Sequence, residues 1–432
     1  MIALAFCLGV LVLFSILYFF LFGHFWSPSL LVLLWWTSWF LVAVNSNIGF
    51  PKASDALFTS FYIFAVSFAL GSISPFFLGL SLRVPNNNSL YAFNKYFTRI
   101  WAVFSLPVLV YFWKRSSLVL TSDSFLAGRN TLIDFEGSSH PVFGSSFIRN
   151  CIEVLMAGPL LYFSLFSFIY LLRDGRFFLF CVSCLGIYLY QSTELGRSQI
   201  YRTFLILVFT FFSLWIYKVF VISYRKVFLG LFTFFLVFCY IYHSTLVRFE
   251  NNPLASWHDT KTEFLSYHSV GFILLDKALN DSNSPLQNEM GYGRASLSGF
   301  WFPVTQVIRI FDESYKPFLD QWYPYTAISH DLGVRNESGK EFLFNAYYTM
   351  LFPFFLDFRY FGICIFSLSL GYITSTCFLN WRKTYFDFWF ASSALLFAFC
   401  IMNIFQPLTQ RVYFFSSVLI LFLILFYLKK AK

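Results

Sequence analysis

The sequence predicts an all-α polytopic membrane protein with about eleven transmembrane helices and one large extracytoplasmic loop that carries short helices. Three observations indicate this class. Apolar residues make up 58% of the 432 residues, against about 45–50% in soluble domains. Charged residues make up 12% and aromatic residues 24%. A soluble globule of this size cannot hide so much apolar surface. The composition therefore excludes an ordinary cytosolic enzyme, a disordered chain and a secreted disulfide scaffold.

The transmembrane helices are predicted from the apolar runs. A helix needs about 20 mostly apolar residues to cross a bilayer. Runs that approach this length lie at 2–22, 29–46, 56–78, 98–113, 152–172, 177–192, 203–217, 227–247, 359–379, 388–406 and 412–428. The first run has no charged n-region and no small-residue cleavage site. We therefore expect a retained helix there and not a signal peptide.

The basic residues predict the orientation, because Lys and Arg are enriched in cytoplasmic loops. Lys429, Lys430 and Lys432 predict a cytoplasmic C-terminus. Alternation of the spans then puts the 248–341 segment outside the cytoplasm. The 114–150 loop also falls outside, in spite of four basic residues. The predicted organisation is an N-terminal transmembrane bundle (1–247), a large extracytoplasmic loop (248–341) and C-terminal transmembrane helices (342–432).

The 248–341 segment is too long and too polar to be a simple connection, so we expect it to carry function. It holds twelve acidic and eight basic residues, which gives it a net charge of −4 while the rest of the chain carries +13. Its middle, Phe302 to Phe311, is apolar with interrupted spacing. Such a pattern favours a helix that lies in the membrane interface or packs on top of the bundle.

Several chemistries are excluded by the motifs. No phosphate-binding loop, dinucleotide fingerprint, zinc-protease motif or serine-hydrolase motif occurs. The six His lie without metal-ligand spacing, and the eight Cys lie mostly in apolar runs. Cys181 and Cys184 are spaced as C-x-x-C, but no second pair accompanies them. We therefore expect no metal and no cofactor. The basic residues sit in small groups between apolar runs, which argues against a nucleic-acid partner.

The first candidate site is the turn from Glu194 to Arg202, which joins two spans on the predicted outer face. Arg197 and Arg202 are suited to a diphosphate, because a guanidinium is planar, permanently charged and pairs with two oxygens at once. The alternative is that both arginines only reach the lipid headgroups.

The second candidate is the segment from Asn345 to Gly362, which leads directly into a span. Asp357 lies there among aromatic residues at the membrane edge, where an unpaired carboxylate is costly. We expect Asp357 to fix how the loop joins the bundle, and it is also a candidate substrate-binding residue, as is Tyr348. Arg359 is its nearest opposite charge in sequence, but neighbours at i,i+2 do not face each other on a helix.

The third candidate is the loop segment Gly291-Tyr292-Gly293-Arg294, followed by Phe300-Trp301-Phe302-Pro303. Glycines, an arginine and aromatic rings are suited to sugar stacking beside phosphate pairing. This makes Tyr292, Arg294 and Trp301 candidate substrate-binding residues. The alternative interpretation is a turn with a packed aromatic cluster.

The order of these motifs resembles that of bacterial oligosaccharide repeat-unit polymerases, the O-antigen polymerase family. The members of that family that this sequence resembles have an Asn-x-Tyr-Thr segment, then a Pro-aromatic stretch, then Asp-Phe-Gly and a glycine-containing helix. The matching residues, in order, are Asn345, Tyr348, Thr349, Pro353, Asp357, Phe358 and Gly362. The Gly196-Arg197 turn and the stretch from Gly293 to Pro303 also resemble family segments. Two departures are Arg359, where the family often has Gly, and an additional residue after Asn345.

The resemblance implies a multi-spanning glycosyltransferase of the bacterial inner membrane with its active site on the periplasmic face. Its substrates would be undecaprenyl-diphosphate-linked oligosaccharides, with membrane lipids and a chain-length regulator protein as further partners. Arg197 would then stabilise the negative charge that develops on the leaving diphosphate, supported by Arg202 and Arg294. An acceptor hydroxyl also needs a general base, for which the loop carboxylates and the His330-Asp331 pair are candidates.

Three alternatives remain open. An O-antigen ligase would share the lipid donor and the architecture. A lipid-linked sugar flippase or transporter would favour repeated halves and interrupted helices around a midplane site, and the sequence shows no repeat. A structural or adaptor role would leave the polar loop, with its arginines and aromatic residues, unexplained.

Overall fold

The computed structural model describes residues 2–23, 26–45, 49–78, 87–122, 142–143, 148, 151–152, 155–156, 158–194, 198–219, 235, 257–312, 315–316, 318, 320–322, 325, 329–335, 341–345, 348–404, 416–420, 422–424 and 426. In chain order its main elements are α1 (Ile2–Phe22), α2 (Pro28–Val44), α3 (Asp55–Leu78), α4 (Asn87–Ser122), α5 (Gly158–Asp174), α6 (Phe177–Glu194), α7 (Ser198–Ile216), α8 (Trp257–Asn280), α9 (Pro285–Asn288), α10 (Ser298–Phe311), β1 (Ser329–Arg335), β2 (Glu341–Asn345), α11 (Leu351–Thr384) and α12 (Asp387–Met402).

The chain is mostly helical and associates with a membrane, as predicted. Within the described ranges, three helices are long and apolar enough to cross a bilayer, namely Asp55–Leu78, Leu90–Ser117 and Leu351–Thr384. Shorter apolar helices include Pro28–Val44 and Asp387–Met402. Helices occupy nine of the eleven predicted spans, but eleven membrane crossings are not confirmed. Of the predicted span 227–247 only residue 235 is described, and much of 412–428 lies outside the described residues.

The chain divides into two compact units. The first comprises Met1–Arg83, Ala255–Tyr385 and Leu396–Phe414, and the second comprises Val84–Leu254, Phe386–Leu395 and Phe415–Lys432. The first unit therefore contains α1 to α3, the 257–345 elements and α11. The second contains α4 to α7 and the beginning of α12.

Helices α3 and α11 of the first unit cross at glycines. A Cβ on Gly71 would overlap the carbonyl oxygen of Leu368, and a Cβ on Gly371 would overlap that of Phe68. Small residues at such a crossing let two backbones approach closely, which is how membrane helices associate without a hydrophobic driving force. The Ser29 and Ser375 hydroxyls lie 2.8 Å apart and join α2 to the same helix.

Helix α8 packs against α2 and α3, although it lies in the segment predicted as a loop. Its Phe272 ring is 5.7 Å from Trp36 of α2 and 6.0 Å from Phe61 of α3, measured between centroids. The first half of α8 is charged, and its second half, from Val270 to Leu279, is apolar except for the charged Asp276 and Lys277 and is largely buried. The prediction of a large outer loop with short helices is therefore not confirmed, since this helix has 24 residues.

A two-stranded antiparallel hairpin follows in the same segment, where the sequence predicts short helices. Strand β1 pairs with β2 from Ser329 opposite Asn345 to Arg335 opposite Glu341, with an irregular register between Asp331 and Arg335. Gly333, at φ +85°, lies within that irregularity, and its backbone meets the backbone of Gly49. The close approach of Gly333 and Gly49 thus packs the hairpin against the segment between α2 and α3.

Helix α10 covers the segment from Phe302 to Phe311, for which the sequence predicts a helix in the membrane interface or on top of the bundle. Its apolar residues Trp301, Val304, Val307 and Phe311 are exposed by 46% to 85%. An exposed apolar stripe at helical spacing is the pattern of a helix that lies in a membrane interface.

The second unit is organised around α5, whose residues from Leu160 to Leu172 are nearly all buried. A helix that is apolar on every face belongs in a core. At its end, the Arg173 Nη1 donates to both Asp387 oxygens, at 3.1 and 2.9 Å. This ion pair ties α5 to the first turn of α12.

Candidate functional site

The Asp357 carboxylate joins the second and third candidate motifs. It is fully buried, and it accepts hydrogen bonds from the Ala295 and Ser296 backbone N–H groups at 3.0 and 2.7 Å. The Ser296 hydroxyl donates to the Pro353 carbonyl at 3.1 Å. Two amide donors satisfy a buried carboxylate without a counter-charge. Asp357 therefore binds the loop and is not placed to contact a substrate.

The loop approaches α11 closely because it carries glycine. The Gly291 N–H donates to the Leu356 carbonyl at 2.9 Å, and the Tyr292 N–H donates to the Asp357 carbonyl at 3.3 Å. A Cβ on Gly291 would overlap the Asp357 carboxylate. Tyr292 itself has φ +53° and is 66% exposed. The backbone thus presents the Tyr292 ring outward, as sugar stacking would require.

Helix α11 is interrupted just after Asp357. Phe358 (φ −147°, ψ 27°) and Arg359 (φ 56°, ψ −141°) are not helical. The break brings the Phe354 ring to 4.9 Å from Phe366, a contact that twelve residues of straight helix would not allow. Gly362, which has no side chain, accommodates the Phe354 carbonyl oxygen beside it. Apart from Arg359 itself, no sequence pattern signals this interruption.

Two guanidinium groups are anchored on backbone carbonyls, one on α9 and one on the Gly291 loop. The Arg359 Nη2 donates to the Gln287 carbonyl at 3.1 Å, and its Cζ lies 5.5 Å from the centre of the Phe355 ring. The exposed Arg294 donates from Nε to the Gly291 carbonyl at 3.0 Å, and its Cζ lies 4.6 Å from the Phe318 ring. A guanidinium has five N–H donors, and each of these carbonyl contacts uses only one of them.

A second cluster is built by α8 and β1. Lys277 Nζ lies 2.9 Å from His330 Nδ1. An ammonium can only donate, so His330 Nδ1 is the acceptor and a neutral ring carries its hydrogen on Nε2. Burial and the Lys277 charge hold the pKa of His330 below its usual value. His330 Nε2 is buried and has no hydrogen-bond partner among the described groups. This geometry makes His330 a hydrogen-bond donor, in contrast to the predicted general base.

Asp331, the other predicted base, is an exposed member of an ion pair. Its two oxygens accept from Arg335 Nη1 and Nη2 at 2.7 and 2.9 Å. These bonds and the Gly333 N–H lower the pKa of Asp331 to about 2. So weak a base is poorly matched to taking a proton from a sugar hydroxyl near neutral pH.

An open groove of about 540 Å³ lies beside these residues. Lys52, Asp276, Lys277, Asn280 and Asp331 supply its polar lining. The Asp276 carboxylate accepts from the Ser54 N–H at 2.9 Å and also from the Ser54 hydroxyl. Since both groove carboxylates already have donors, the lysines are the polar groups best placed to meet a ligand.

Tyr348 lies inside the first unit and not on its surface. It is 4% exposed, and its ring is 4.4 Å from Phe352. Burial raises its pKa. The nearby Tyr325 hydroxyl donates to Asp281 at 3.0 Å, and burial raises the pKa of Tyr325 to about 12. Tyr348 therefore has the surroundings of a packing residue, whereas Asp281 and Tyr325 form a hydrogen-bonded pair that the sequence analysis missed.

Other predicted site residues are placed only in part. Arg197 lies outside the described residues, and for Arg202 only the backbone, in α7, is described. Trp301 is exposed on α10.

The sequence did not predict Lys277 as a site residue, because it lies 53 residues from His330 and no local pattern signals such a pairing. Throughout the described chain, no group of three or more His, Cys, Asp or Glu is arranged to hold a metal.

No protein-family model, curated protein or solved structure matches this chain.

Proposed function

We propose that this chain is an integral-membrane glycosyltransferase that polymerises undecaprenyl-diphosphate-linked oligosaccharide repeat units. The product would be O-antigen or capsular polysaccharide, made on the periplasmic face of the inner membrane. One observation carries the proposal. The Asp357 carboxylate holds the Gly291–Ser296 loop, so the two segments that resemble the polymerase signature meet at one place. The lysine-lined groove in the same unit supports it.

The reaction balances as a transfer of one glycosyl group. The anomeric carbon of the donor chain loses its bond to the diphosphate oxygen and gains a bond to an acceptor hydroxyl oxygen. The hydroxyl proton leaves to a base, and undecaprenyl diphosphate leaves with the electron pair of the broken bond. Arginines would stabilise the charge on that leaving group, and His330 would hold the groove residue Lys277 in position through its Nδ1.

The test is synthesis by the full chain in lipid nanodiscs, supplied with lipid-linked repeat units isolated from the cells that make the protein. We expect a product ladder whose steps equal one repeat unit. His330→Ala should shorten the ladder while the folded yield stays unchanged, and Lys316→Ala is the matched control because Lys316 is exposed and does not line the groove. Transfer of a single unit to another lipid, with no ladder, would indicate a ligase.

A transporter is the second candidate, because α11 is interrupted at Phe358 and Arg359. Interrupted helices line the substrate sites of many transporters. This candidate predicts that lipid-linked sugar becomes accessible on the other side of a liposome without any new glycosidic bond. The same nanodisc assay would then yield no ladder.

A further inference from the structure

The backbone conformation of Arg359 is one that side chains rarely adopt. Its φ is +56° and its ψ is −141°. Glycine reaches this region freely, whereas a residue with a Cβ is strained there. Strain of this kind persists where the surrounding structure holds it, and it is concentrated at ligand-binding sites. The backbone conformation therefore does not explain why this position has arginine and not glycine.

Within the described ranges, the contacts of the Arg359 side chain leave one of its nitrogens without an acceptor. Arg359 is anchored by Nη2 on the Gln287 carbonyl and by its face on the Phe355 ring. Its Nη1 is buried and has no hydrogen-bond partner among the residues that the structure describes. A buried donor without a partner is costly. One edge of the guanidinium is thus fixed and another lacks an acceptor.

A second guanidinium lies on the Gly291 loop. Arg294 is exposed and is anchored through Nε on Gly291, a bond that does not use its two terminal nitrogens. No described carboxylate forms an ion pair with Arg294 or Arg359, since Asp357 is engaged by backbone amides. Glu289, on the same loop, is exposed and pairs with neither arginine in the described part of the chain. Among the described residues, neither guanidinium is therefore neutralised by a carboxylate.

We propose that Arg359, together with Arg294, binds a phosphate oxyanion borne by a lipid. A phosphate offers several acceptor oxygens to a guanidinium fork, and the site adjoins a helix long and apolar enough to cross the membrane. The source is either the diphosphate of a lipid-linked sugar or the headgroup of an ordinary anionic lipid. Only the choice of diphosphate as a probe rests on the proposed function.

The experiment measures binding and not polymerisation. The full chain is placed in phosphatidylcholine nanodiscs, and its affinity for undecaprenyl diphosphate is measured in wild type, Arg359→Gly, Arg359→Lys and Lys316→Gly. We expect Arg359→Gly to stay folded, because glycine adopts this conformation without strain, and to bind at least tenfold more weakly. Arg359→Lys keeps the charge without the fork and should be intermediate. Lys316→Gly removes an exposed cation elsewhere and should bind like wild type. A second arm replaces the probe with nanodiscs that contain phosphatidylglycerol and measures the shift in melting temperature.

Each outcome decides the proposal. Weaker diphosphate binding in the Arg359 variants alone supports the site with the lipid-linked diphosphate as its source. A loss confined to the phosphatidylglycerol arm supports the same site with a headgroup as its source. Equal responses from wild type and Arg359→Gly in both arms would overturn it. Failure of both Arg359 variants to fold would make the residue structural and also overturn it. Absence of polymerisation by the wild type would overturn the proposed function but would leave this binding result unaffected.

Discussion

At the residue scale, Asp357 shows how a buried charge is held without a cation. Both oxygens accept from backbone amides, and the carboxylate is fully buried. Removal of such an acceptor leaves buried N–H donors unsatisfied, at a cost of about 1–3 kcal/mol each. The carboxylate therefore stabilises the loop-to-helix junction.

We expect Asp357→Leu to lower both the free energy of unfolding and the membrane level of the protein more than Asp357→Asn does. The Asn amide keeps one acceptor oxygen, so it should cost about 1–3 kcal/mol, and Leu should cost roughly twice as much because it keeps none. Thermal unfolding of purified protein and immunoblots of membranes measure the two effects. Glu289→Gln, on the exposed part of the same loop, is the control. Wild-type stability and complete loss of polymer in the Asn variant would instead make Asp357 part of the catalytic machinery.

The Lys277–His330 contact predicts a pH dependence of stability. The pKa of His330 is lowered by burial and by the Lys277 charge. Near pH 6.5, the usual histidine value, the unfolded chain takes up a proton that the folded chain does not. Stability should therefore fall as the pH falls below about 6.5 towards the lowered pKa, and should level off beneath it.

Lys277→Met should weaken this dependence, because removal of the positive charge raises the pKa of His330 towards its usual value. Burial, the larger cause, should leave part of the effect. Melting temperatures from pH 5 to pH 8 measure it, with Lys316→Met as the control. If Lys277→Met left the slope of melting temperature against pH unchanged, the lysine charge would have no effect on the pKa of His330.

At the element scale, the α3–α11 crossing depends on two glycines. A Cβ at Gly71 or Gly371 would overlap a carbonyl oxygen of the facing helix. Backbone cannot move aside as a flexible side chain can, so the helices would have to separate. Gly9 of α1 is a matched comparison, since a Cβ there meets nothing within 4 Å.

We expect Gly71→Ala and Gly371→Ala each to lower the free energy of unfolding by about 1–3 kcal/mol, the usual cost of overpacking. Gly9→Ala should change it by less than about 0.5 kcal/mol, as for substitutions outside packed sites. Unfolding in detergent, followed by circular dichroism, measures all three. Equal effects of the three substitutions would mean that the crossing tolerates separation.

The elements also show what the sequence can predict. Apolar runs gave α2, α3 and α6 to within about two residues, because burial and helix formation act on the same local pattern. Helix α8 was missed because its charged first half hides the apolar second half. The β-hairpin and the Lys277–His330 contact were missed because they depend on the pairing of distant segments. Among the site residues, Arg359 was noted only as a departure from glycine, and its strained backbone gives that departure a physical meaning.

At the scale of the whole molecule, the two ends of α11 make orientation testable. The helix begins beside the Gly291 loop and ends at Thr384, next to Arg382 and Lys383. We expect the loop end to face the periplasm and the basic end to face the cytoplasm, because cytoplasmic loops are enriched in Lys and Arg.

Single cysteines introduced in a background without the eight native cysteines measure this orientation. Lys316→Cys should react with a membrane-impermeant maleimide in intact spheroplasts, and Lys383→Cys should react only after permeabilisation. Both residues are well suited because their side chains are accessible. The reverse pattern would move the proposed chemistry to the cytoplasmic side.

One hydrogen bond of this protein can form only late in its synthesis. The Trp36 indole donates to the Cys400 carbonyl at 2.9 Å, across 364 residues of chain. At a synthesis rate of about 5–20 residues per second, the first helices wait roughly 20–70 s for that partner. Through that interval the Trp36 indole of α2 lacks its Cys400 acceptor. A nascent chain of this kind offers membrane chaperones a long window, and slower translation of the second half should lengthen it.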